Sequence, residues 1–234
     1  MKAVIIAAGE GSRLWPSTNK APKTLLPYNE GTLLSTIMDN LSTAGINEFV
    51  LVVGFESEQI VTYLNENACS GRNITFVNNS DYLKGNGLSV FKAESAVGDG
   101  PFILSMCDHL VTPGALKQIV DAPDERNLLL VDLRVDDIFD SEDATRVLTK
   151  DERIVDIGKG LKVYNGIDCG IFKLNKRFFE AMRMELAQGR DSISAGIGNL
   201  IGNNDMAAVF LRDSERWLDV DTPEAYRYAL DNPF

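Results

Sequence analysis

AVIIAAGEGSRLWPSTNKAPKTLLP, residues 3–27, is the stretch of this chain that decides its fold. Its apolar run, Ala3–Ala8, predicts a buried strand that opens into a loop containing Gly9 and Gly11. Glycines leave backbone N–H groups accessible, and Arg13 and Lys23 add positive charge beside them. This combination is typical of a site that binds a polyphosphate.

Two common phosphate-binding motifs do not fit this loop. The dinucleotide motif G-x-G-x-x-G requires glycine where Leu14 stands, and a P-loop requires G-K-[ST] where Gly11 is followed by Ser12 and Arg13. The alternative without a function is a glycine-rich turn from strand to helix with two solvated cations.

The composition sets broad limits on function. The chain has 234 residues, a net charge of −11 and ordinary globular usage, with 44% hydrophobic residues. The negative charge disfavours nucleic acid and anionic membrane surfaces as partners. The length suits one domain, residues 1–234, with a substrate-facing subregion at about 135–205.

The cysteine content and the hydropathy of the sequence indicate the cellular compartment of the protein. Three widely spaced cysteines, Cys69, Cys107 and Cys169, form no C-x-x-C pair and favour a reducing environment. The N-terminal apolar run is too short for a signal peptide, and no apolar segment approaches a membrane span. We therefore expect a cytoplasmic protein.

Apolar β-rich segments alternate with amphipathic ones along the chain. Strands are predicted at 3–8, 49–53, 74–77, 102–106, 128–133, 167–174, 207–211 and 217–220, with a hairpin at 145–149 and 153–157. Helices are predicted at 33–44, 57–65, 88–96, 113–120, 176–188, 192–201 and 223–231. Such alternation predicts a mostly parallel sheet covered on both faces, with ligands beyond the carboxyl ends of the strands. The loops at 9–13 and 107–109 then share one cleft.

Acidic residues follow two of the predicted strands. Asp108 ends the apolar run 102–106, and Asp219 and Asp221 share one face of the segment after Trp217. Carboxylates beside a phosphate loop are suitable ligands for Mg²⁺. Asp221 either joins the metal or caps the helix that begins at 222–223. His109, the only histidine, lacks the partners of a zinc site, so we expect it to orient or pack.

Two further glycine-containing segments carry candidate contacts. Gly85-Asn86-Gly87 precedes a helix and allows close approach to a nucleobase, although an ordinary turn has the same composition. Lys159 stands between two glycines, where the alternative is a hairpin tip with a solvated lysine. The acidic segment 136–143 has the composition of a solvated loop.

Together these motifs resemble the sugar-phosphate nucleotidylyltransferase superfamily. Its signature, A-A-G-x-G-x-R-L followed by P-K, matches Ala7, Ala8, Gly9, Gly11, Arg13, Leu14, Pro22 and Lys23. Within it, the chain resembles the inositol-1-phosphate cytidylyltransferases through segments at 85–87, 107–109, 156–159, 167–170 and 217–222. The phosphocholine and phosphonate cytidylyltransferases share much of this pattern. The resemblance implies an α/β fold of the Rossmann-like, three-layer nucleotidyltransferase type (GT-A-like), with a mostly parallel mixed sheet.

The resemblance also implies a reaction. An oxygen of a phosphorylated or phosphonate acceptor attacks the α-phosphorus of CTP, and pyrophosphate leaves. Arg13 neutralises the pyrophosphate, Lys23 bridges the α-phosphate and the attacking group, and Lys159 binds the acceptor phosphate. Mg²⁺ is held by Asp108 and Asp219, with Asp221 as an additional acid. The implied nucleotide-binding set is Ala7, Ala8, Gly9, Gly11, Ser12, Asn79, Gly85, Asn86, Gly87 and Ser89.

The acceptor remains open at this point. The candidate pocket residues are Tyr164, Asn165, Asp168, Asp191 and Trp217. Their carboxylates and amide suit a polyol, and the same acids with two aromatic rings suit an ammonium group. Partners are then CTP and a small acceptor, with no nucleic acid or membrane, and a homodimer is possible. The chain also leaves no room for the membrane phosphotransferase often fused to inositol-phosphate enzymes.

Other functions share parts of the pattern. A sugar-1-phosphate uridylyltransferase or thymidylyltransferase has the same front motif. A GT-A glycosyltransferase uses a D-x-D metal motif, which Asp219-Val-Asp221 spells, but places it in mid-chain. A regulatory nucleotide-binding domain is expected to lack Arg13, Lys23 or the metal acids, all of which are present.

Overall fold

The computed structural model describes residues 1–14, 21–67, 71–123, 125–139 and 143–234. The helices in these ranges are α1 (Leu33–Thr43), α2 (Ser57–Asn67), α3 (Asn86–Lys92), α4 (Glu94–Val97), α5 (Pro113–Asp121), α6 (Lys176–Ala187), α7 (Ile193–Gly202) and α8 (Pro223–Asp231). The strands are β1 (Lys2–Ala7), β2 (Pro27–Tyr28), β3 (Gly31–Thr32), β4 (Glu48–Val53), β5 (Asn73–Asn78), β6 (Phe102–Met106), β7 (His109–Val111), β8 (Asn127–Asp132), β9 (Arg146–Lys150), β10 (Arg153–Gly158), β11 (Gly166–Leu174), β12 (Met206–Phe210) and β13 (Trp217–Asp219). Short 3₁₀ turns occupy Ser12–Leu14 and Lys23–Leu25.

One mixed sheet organises the described residues. Its nine strands lie in the order β5-β4-β1-β6-β11-β8-β12-β10-β9. The pairs β4–β5, β1–β4, β1–β6 and β8–β12 are parallel, whereas β11 and β10 run against their neighbours. All strands of this sheet except β11 and β10 therefore share one direction, which confirms the mostly parallel mixed sheet.

The side chains of β1 alternate between two buried layers. Ala3, Ile5 and Ala7 pack with α1 and α5 on one face of the sheet. Val4 and Ile6 pack with α3, α6 and α7 on the other face. Burying a large aliphatic side chain contributes about 1.5–3 kcal/mol, so both layers stabilise the fold substantially. The predicted three-layer arrangement is confirmed.

The site lies at one edge of this sheet. Ile6 of β1 pairs with Met106 of β6, so the two strands end side by side. The loops that follow them, 8–13 and 107–109, leave the sheet at the same edge. The antiparallel β11 begins at this edge, because its residue Ile171 pairs with Ser105. Both loops therefore lie at the edge of the sheet where the sequence predicted them, and a shared cleft stays a prediction.

Two short pairings were not predicted from the sequence. β2 and β3 form a small hairpin whose turn contains Asn29 with a positive φ of 51°. Thr32 then caps α1, and its hydroxyl accepts a hydrogen bond from the Ser35 N–H at 3.2 Å. β7 pairs with β13 in a second two-stranded sheet, which matters for the site.

The predicted helix at 88–96 was wrong in its bounds. It is divided into α3 and α4, with Ala93 between them. The Ala93 N–H bonds to the Val90 carbonyl three residues back, at 3.0 Å, which tightens the end of α3. Gly98, with a φ of +80°, ends α4.

Two described cysteines, Cys107 and Cys169, are buried free thiols, whereas Cys69 and residues 140–142 of the acidic segment lie outside the described residues. The cytoplasmic location and the substrate-facing subregion stay predictions.

Across the described ranges, no helix has the length and apolar character that a membrane crossing requires.

Candidate active site

The pairing of β13 with β7 brings two of the predicted metal acids together. Asp219 lies opposite His109 in this antiparallel pair. The backbone N–H of Val220 donates to the Asp108 carbonyl at 2.9 Å, which fixes the C-terminal segment against the end of β6. Asp108 and Asp219 are 111 positions apart in the chain, yet the backbone alone makes them neighbours.

The glycine loop brings Lys23 to the same place. Gly11 has a φ of +60°, a conformation that favours glycine, and a Cβ there would lie 2.8 Å from the Lys23 side chain. The absence of a side chain at Gly11 lets the Lys23 stem pass beneath the loop. Its ammonium reaches the carboxylates of Asp108 and Asp221, the latter at 2.5 Å.

A chain of alternating charges continues from Lys23 to the far side of the cleft. Arg13 donates to Asp221 and, at 2.7 Å, to Asp143. Lys159 donates to the other oxygen of Asp143 at 2.6 Å. The three predicted catalytic cations, Arg13, Lys23 and Lys159, are thereby brought together through carboxylates.

Burial and charge fix the ionisation of the innermost pair. Burial opposes protonation of Lys23, but Asp108 and Asp221 outweigh it and raise its pKa well above the ordinary value. Burial opposes ionisation of Asp108, but Lys23 and His109 hold the pKa of that carboxyl far below its usual range. Both groups are therefore charged at neutral pH.

Asp108, His109 and Asp219 fit a divalent cation. One ligand atom from each lies within 4.8 Å of the others. The Oδ1 atom of Asp219 is buried and has no hydrogen-bond partner among the described residues. Burial raises the pKa of Asp219 to about 7, with Asp108 and Asp221 adding to the effect and His109 opposing it. A bound cation would stabilise the ionised form of this buried, unpaired carboxylate. Its oxygen donors suit Mg²⁺.

His109 is fixed on three sides. Its Nδ1 lies 2.8 Å from Asp108 Oδ1, and its ring stacks on Trp217 with centroids 5.8 Å apart. Gly170 has a φ of +73°, and a Cβ there would lie 2.3 Å from the imidazole. Burial opposes protonation, but Asp219 and Asp108 outweigh it and raise the pKa of His109 to about 9. The geometry fits the orienting role predicted for this residue.

Trp217 is itself held by a half-buried ion pair that the sequence did not reveal. The Asp132 carboxylate accepts the indole N–H at 3.1 Å. The same carboxylate accepts two hydrogen bonds from the Arg134 guanidinium, both at 2.9 Å. Burial opposes ionisation of Asp132, but Arg134 and Trp217 hold its pKa below the usual value.

A cavity of about 230 Å³ opens between these groups. The predicted site residues that line it are Asn86, Asp108, Lys159, Asp168, Trp217, Asp219 and Asp221. Asp168 accepts the Gly170 N–H at 2.7 Å, and burial raises its pKa to about 6. Apolar contacts come from Met106, Phe139 and Phe172.

Three of the predicted acceptor residues lie elsewhere in the described structure. Asn165 bonds to the backbone of Thr149 through both its oxygen and its nitrogen, at 2.8 and 3.1 Å. Tyr164 lies under the guanidinium of Arg146. Asp191 accepts the Gly85 N–H at 2.8 Å. None of the three lines the cavity, and a role in acceptor binding stays a prediction for each.

The predicted base-binding turn is fixed to the loop before α7. Asn86 accepts the Ile193 N–H at 2.9 Å, and a Cβ on Gly87 would lie 2.6 Å from the Ser192 backbone. At the start of α3, the amide of the fully buried Asn79 donates to the Ser89 hydroxyl at 2.8 Å. These contacts give the turn one position relative to the cavity.

In the front loop, Ala7 and Ala8 are buried, and the Ala8 carbonyl accepts the Phe55 N–H at 3.0 Å. Gly9 and Ser12 are exposed, and a Cβ on Gly9 would meet only open space. Contacts of the whole predicted nucleotide set with a nucleotide stay predictions.

The structure corrects one alternative and adds one residue. Thr222, not Asp221, caps α8, since its hydroxyl accepts the Ala225 N–H at 3.1 Å. Asp221 instead binds Lys23 and Arg13. The added residue is Asp143, which the sequence analysis assigned to a solvated loop and which contacts two of the predicted catalytic cations. Local sequence carried no signal for it, because its partners are distant in the chain.

Comparisons with known proteins give a family match and several relatives. The chain matches the nucleotidyl transferase family over residues 2–232. The bifunctional IPC transferase and DIPP synthase of Aquifex aeolicus is 32% identical over 225 residues, 95% of this chain and 49% of that protein. The CTP:phosphoglutamine cytidylyltransferase of Campylobacter jejuni is 27% identical over 76% of this chain and 74% of its own.

A solved structure of a relative has a similar fold. The inositol-1-phosphate CTP transferase from T. maritima superposes with a TM-score of 0.85 at 29% identity, covering 98% of this chain and 94% of its own. This chain spans about half the length of the bifunctional relatives it matches.

The Asp132 ion pair generates a pH-dependent prediction. Asp132→Asn leaves Arg134 and Trp217 without a carboxylate, so we expect the free energy of unfolding at pH 7 to fall by about 1–3 kcal/mol. Because the folded-state pKa of Asp132 lies below its unfolded value, its contribution is present above about pH 4 and is lost as pH falls through the folded-state pKa. Urea unfolding at pH 7 and pH 3 measures both effects.

The matched control is Asp121→Asn, which removes an exposed carboxylate paired with Lys117. We expect it to change the free energy of unfolding by less than about 0.5 kcal/mol at either pH. A deficit for Asp132→Asn that is as large at pH 3 as at pH 7 would contradict the assignment.

Proposed function

We propose that this chain, which belongs to the nucleotidyl transferase family, transfers CMP from CTP to a small phosphorylated polyol resembling inositol-1-phosphate and releases pyrophosphate. Family membership makes it a nucleotidyltransferase, and the relatives support a reaction of the cytidylyltransferase type. The nucleotide, the acceptor and the cation are the proposal. The observation that carries it is that Arg13, Lys23 and Lys159 pair with three carboxylates, those of Asp108, Asp143 and Asp221, which line the same cavity as Asp219.

Two relatives support cytidine as the base. One carries CTP in its name as a phosphoglutamine cytidylyltransferase, and the solved structure is named as an inositol-1-phosphate CTP transferase. The turn at 85–87, fixed by Asp191 and Ile193, is the segment that we assign to the base.

The stacking of His109 on Trp217 favours a polyol over an ammonium acceptor. An ammonium group on Trp217 would need an open face of the ring, but His109 stacks on one face. Asp168, in contrast, offers a carboxylate to hydroxyl groups.

The proposed step needs no covalent intermediate on the protein. A phosphate oxygen of the acceptor forms a bond to the α-phosphorus of CTP, and the bond from that phosphorus to the bridging oxygen of the β-phosphate breaks. The acceptor phosphate is already anionic, so no general base is required. Asp108 and Asp219 would hold Mg²⁺, which neutralises phosphate charge when bound.

The cations do the remaining work by position and charge. Lys23, buried and permanently protonated, would stabilise charge on the α-phosphate, and Arg13 would stabilise the pyrophosphate. Lys159, from the other side of the cavity, would bind the acceptor phosphate. The N–H groups of Gly9 and Gly11 would contact the triphosphate.

Pyrophosphate release tests the proposal. The assay crosses CTP, UTP, dTTP, ATP and GTP with inositol-1-phosphate, phosphocholine, 2-aminoethylphosphonate and glucose-1-phosphate, with Mg²⁺ and with EDTA. We expect release with CTP and inositol-1-phosphate that EDTA abolishes. Release with a cationic acceptor instead would overturn the polyol assignment, and release only with UTP or dTTP and glucose-1-phosphate would overturn the cytidylyltransferase assignment.

Substitution of Lys23 and of Lys159 should change different kinetic parameters. Lys23→Ala should lower kcat on the order of 10²-fold or more, the scale of losing one charge-stabilising donor. Lys159→Ala should mainly raise the KM of the acceptor and leave the KM of CTP nearly unchanged. Steady-state kinetics with each substrate varied in turn measures both.

The control for Lys159→Ala is Lys117→Ala, since the two lysines are 59% and 60% exposed and each pairs with one aspartate. The control should behave as wild type. An unchanged acceptor KM in Lys159→Ala, with a raised KM for CTP, would reassign Lys159 to the nucleotide.

A further inference from the structure

Asp143 lies between two cations that are assigned to different substrates. Arg13 is assigned to the nucleotide, and Lys159 is assigned to the acceptor. The Oδ2 atom of Asp143 accepts from Arg13 at 2.7 Å and its Oδ1 accepts from Lys159 at 2.6 Å. Arg13 comes from the glycine loop after β1, and Lys159 directly follows β10. Asp143 also lines the cavity. It is the carboxylate that links the nucleotide side of the site to the acceptor side.

Stability does not account for this arrangement. The side chains of Arg13, Asp143 and Lys159 are 54%, 44% and 59% exposed. Ion pairs with this exposure contribute little to folding, because water screens them and the long side chains lose conformational freedom. The main effect of the two ion pairs is therefore to set the positions of the Arg13 and Lys159 side chains.

The charge of Asp143 works against the binding of substrates. Two phosphorylated molecules bring several negative charges into the cavity, and a carboxylate at its wall repels them. Removing that carboxylate should therefore leave affinity unchanged or improve it. Any benefit from Asp143 has to appear in the chemical step.

We propose that Asp143 is a positioning residue that holds Arg13 and Lys159 side by side, so that the nucleotide and acceptor phosphates they bind lie in reacting geometry. The proposal rests on the function proposed above. Arg13 has five N–H donors and Lys159 three, so each keeps donors for a phosphate while it contacts Asp143. Displacement of a reacting group by about 1 Å costs up to about 10²-fold in rate.

Asp143→Asn tests this through the separation of rate from affinity. The amide keeps the size of the side chain but lacks the charge that holds both cations. We expect kcat to fall at least about tenfold. The dissociation constants of CTP alone and of inositol-1-phosphate alone, measured calorimetrically with Mg²⁺, should stay equal to or below those of wild type.

Glu94→Gln is the matched control. Glu94 pairs with Arg183 at 2.8 Å, their side chains are 40% and 56% exposed, and the substitution makes the same change in net charge. We expect kcat and both dissociation constants within about twofold of wild type. Equal losses of kcat in Glu94→Gln and Asp143→Asn would overturn the proposal, because net charge would then explain both.

A loss of kcat in Asp143→Asn accompanied by weaker binding of both substrates would also overturn it, since that is the result of a structural defect. So would a kcat within about threefold of wild type.

A chemical measurement tests the ion pair without any turnover. Acetic anhydride modifies lysines, and mass spectrometry compares Lys159 with Lys117, whose partner Asp121 is unchanged. We expect the ratio of Lys159 to Lys117 modification to rise severalfold in Asp143→Asn. An unchanged ratio would overturn the inference whatever the kinetics show. If wild type transfers no CMP but the ratio rises, the proposed function fails, and the kinetic comparison is then made with the nucleoside triphosphate that wild type accepts.

Discussion

The ammonium of Lys23 lies between the carboxylates of Asp108 and Asp221, and the organisation of the site depends on this buried contact. This contact joins the N-terminal motif at 7–23 to the end of β6 and to the segment after β13. An unpaired charge in such a place would cost several kcal/mol, so the three segments have to meet for any of them to be stable there. The same contact places a permanent cation beside the acids that fit a divalent ion.

Much of the fold could be predicted because it follows from local patterns. The apolar run at 3–8 with its glycines predicted a buried strand and a phosphate loop, and the alternation of strands and helices predicted that the loops at 9–13 and 107–109 lie at the same edge of the sheet. The same alternation predicted a mostly parallel sheet covered on both faces, and the resemblance to a superfamily implied a three-layer fold of that kind. The strand register, the short pairings β2–β3 and β7–β13, and helix bounds such as the break at Ala93 needed coordinates.

The contacts that complete the site depend on pairings between distant segments. The register of β7 with β13 determines which acid faces His109, and a three-residue strand carries no strong sequence signal. Asp132 supports Trp217, and Asp143 links Arg13 to Lys159, across separations of 85, 130 and 16 positions. Asp191 looked suited to a polyol, but its carboxylate accepts the backbone N–H of Gly85, in the turn that is predicted to contact the base.

A crystal structure with CTP and Mg²⁺ is the most direct test of the central claim that these charges form one nucleotide site. The account predicts a cation between Asp108 and Asp219, with the triphosphate against residues 9–13 and Lys23. A triphosphate bound away from these residues, or a cation held by other acids, would contradict it.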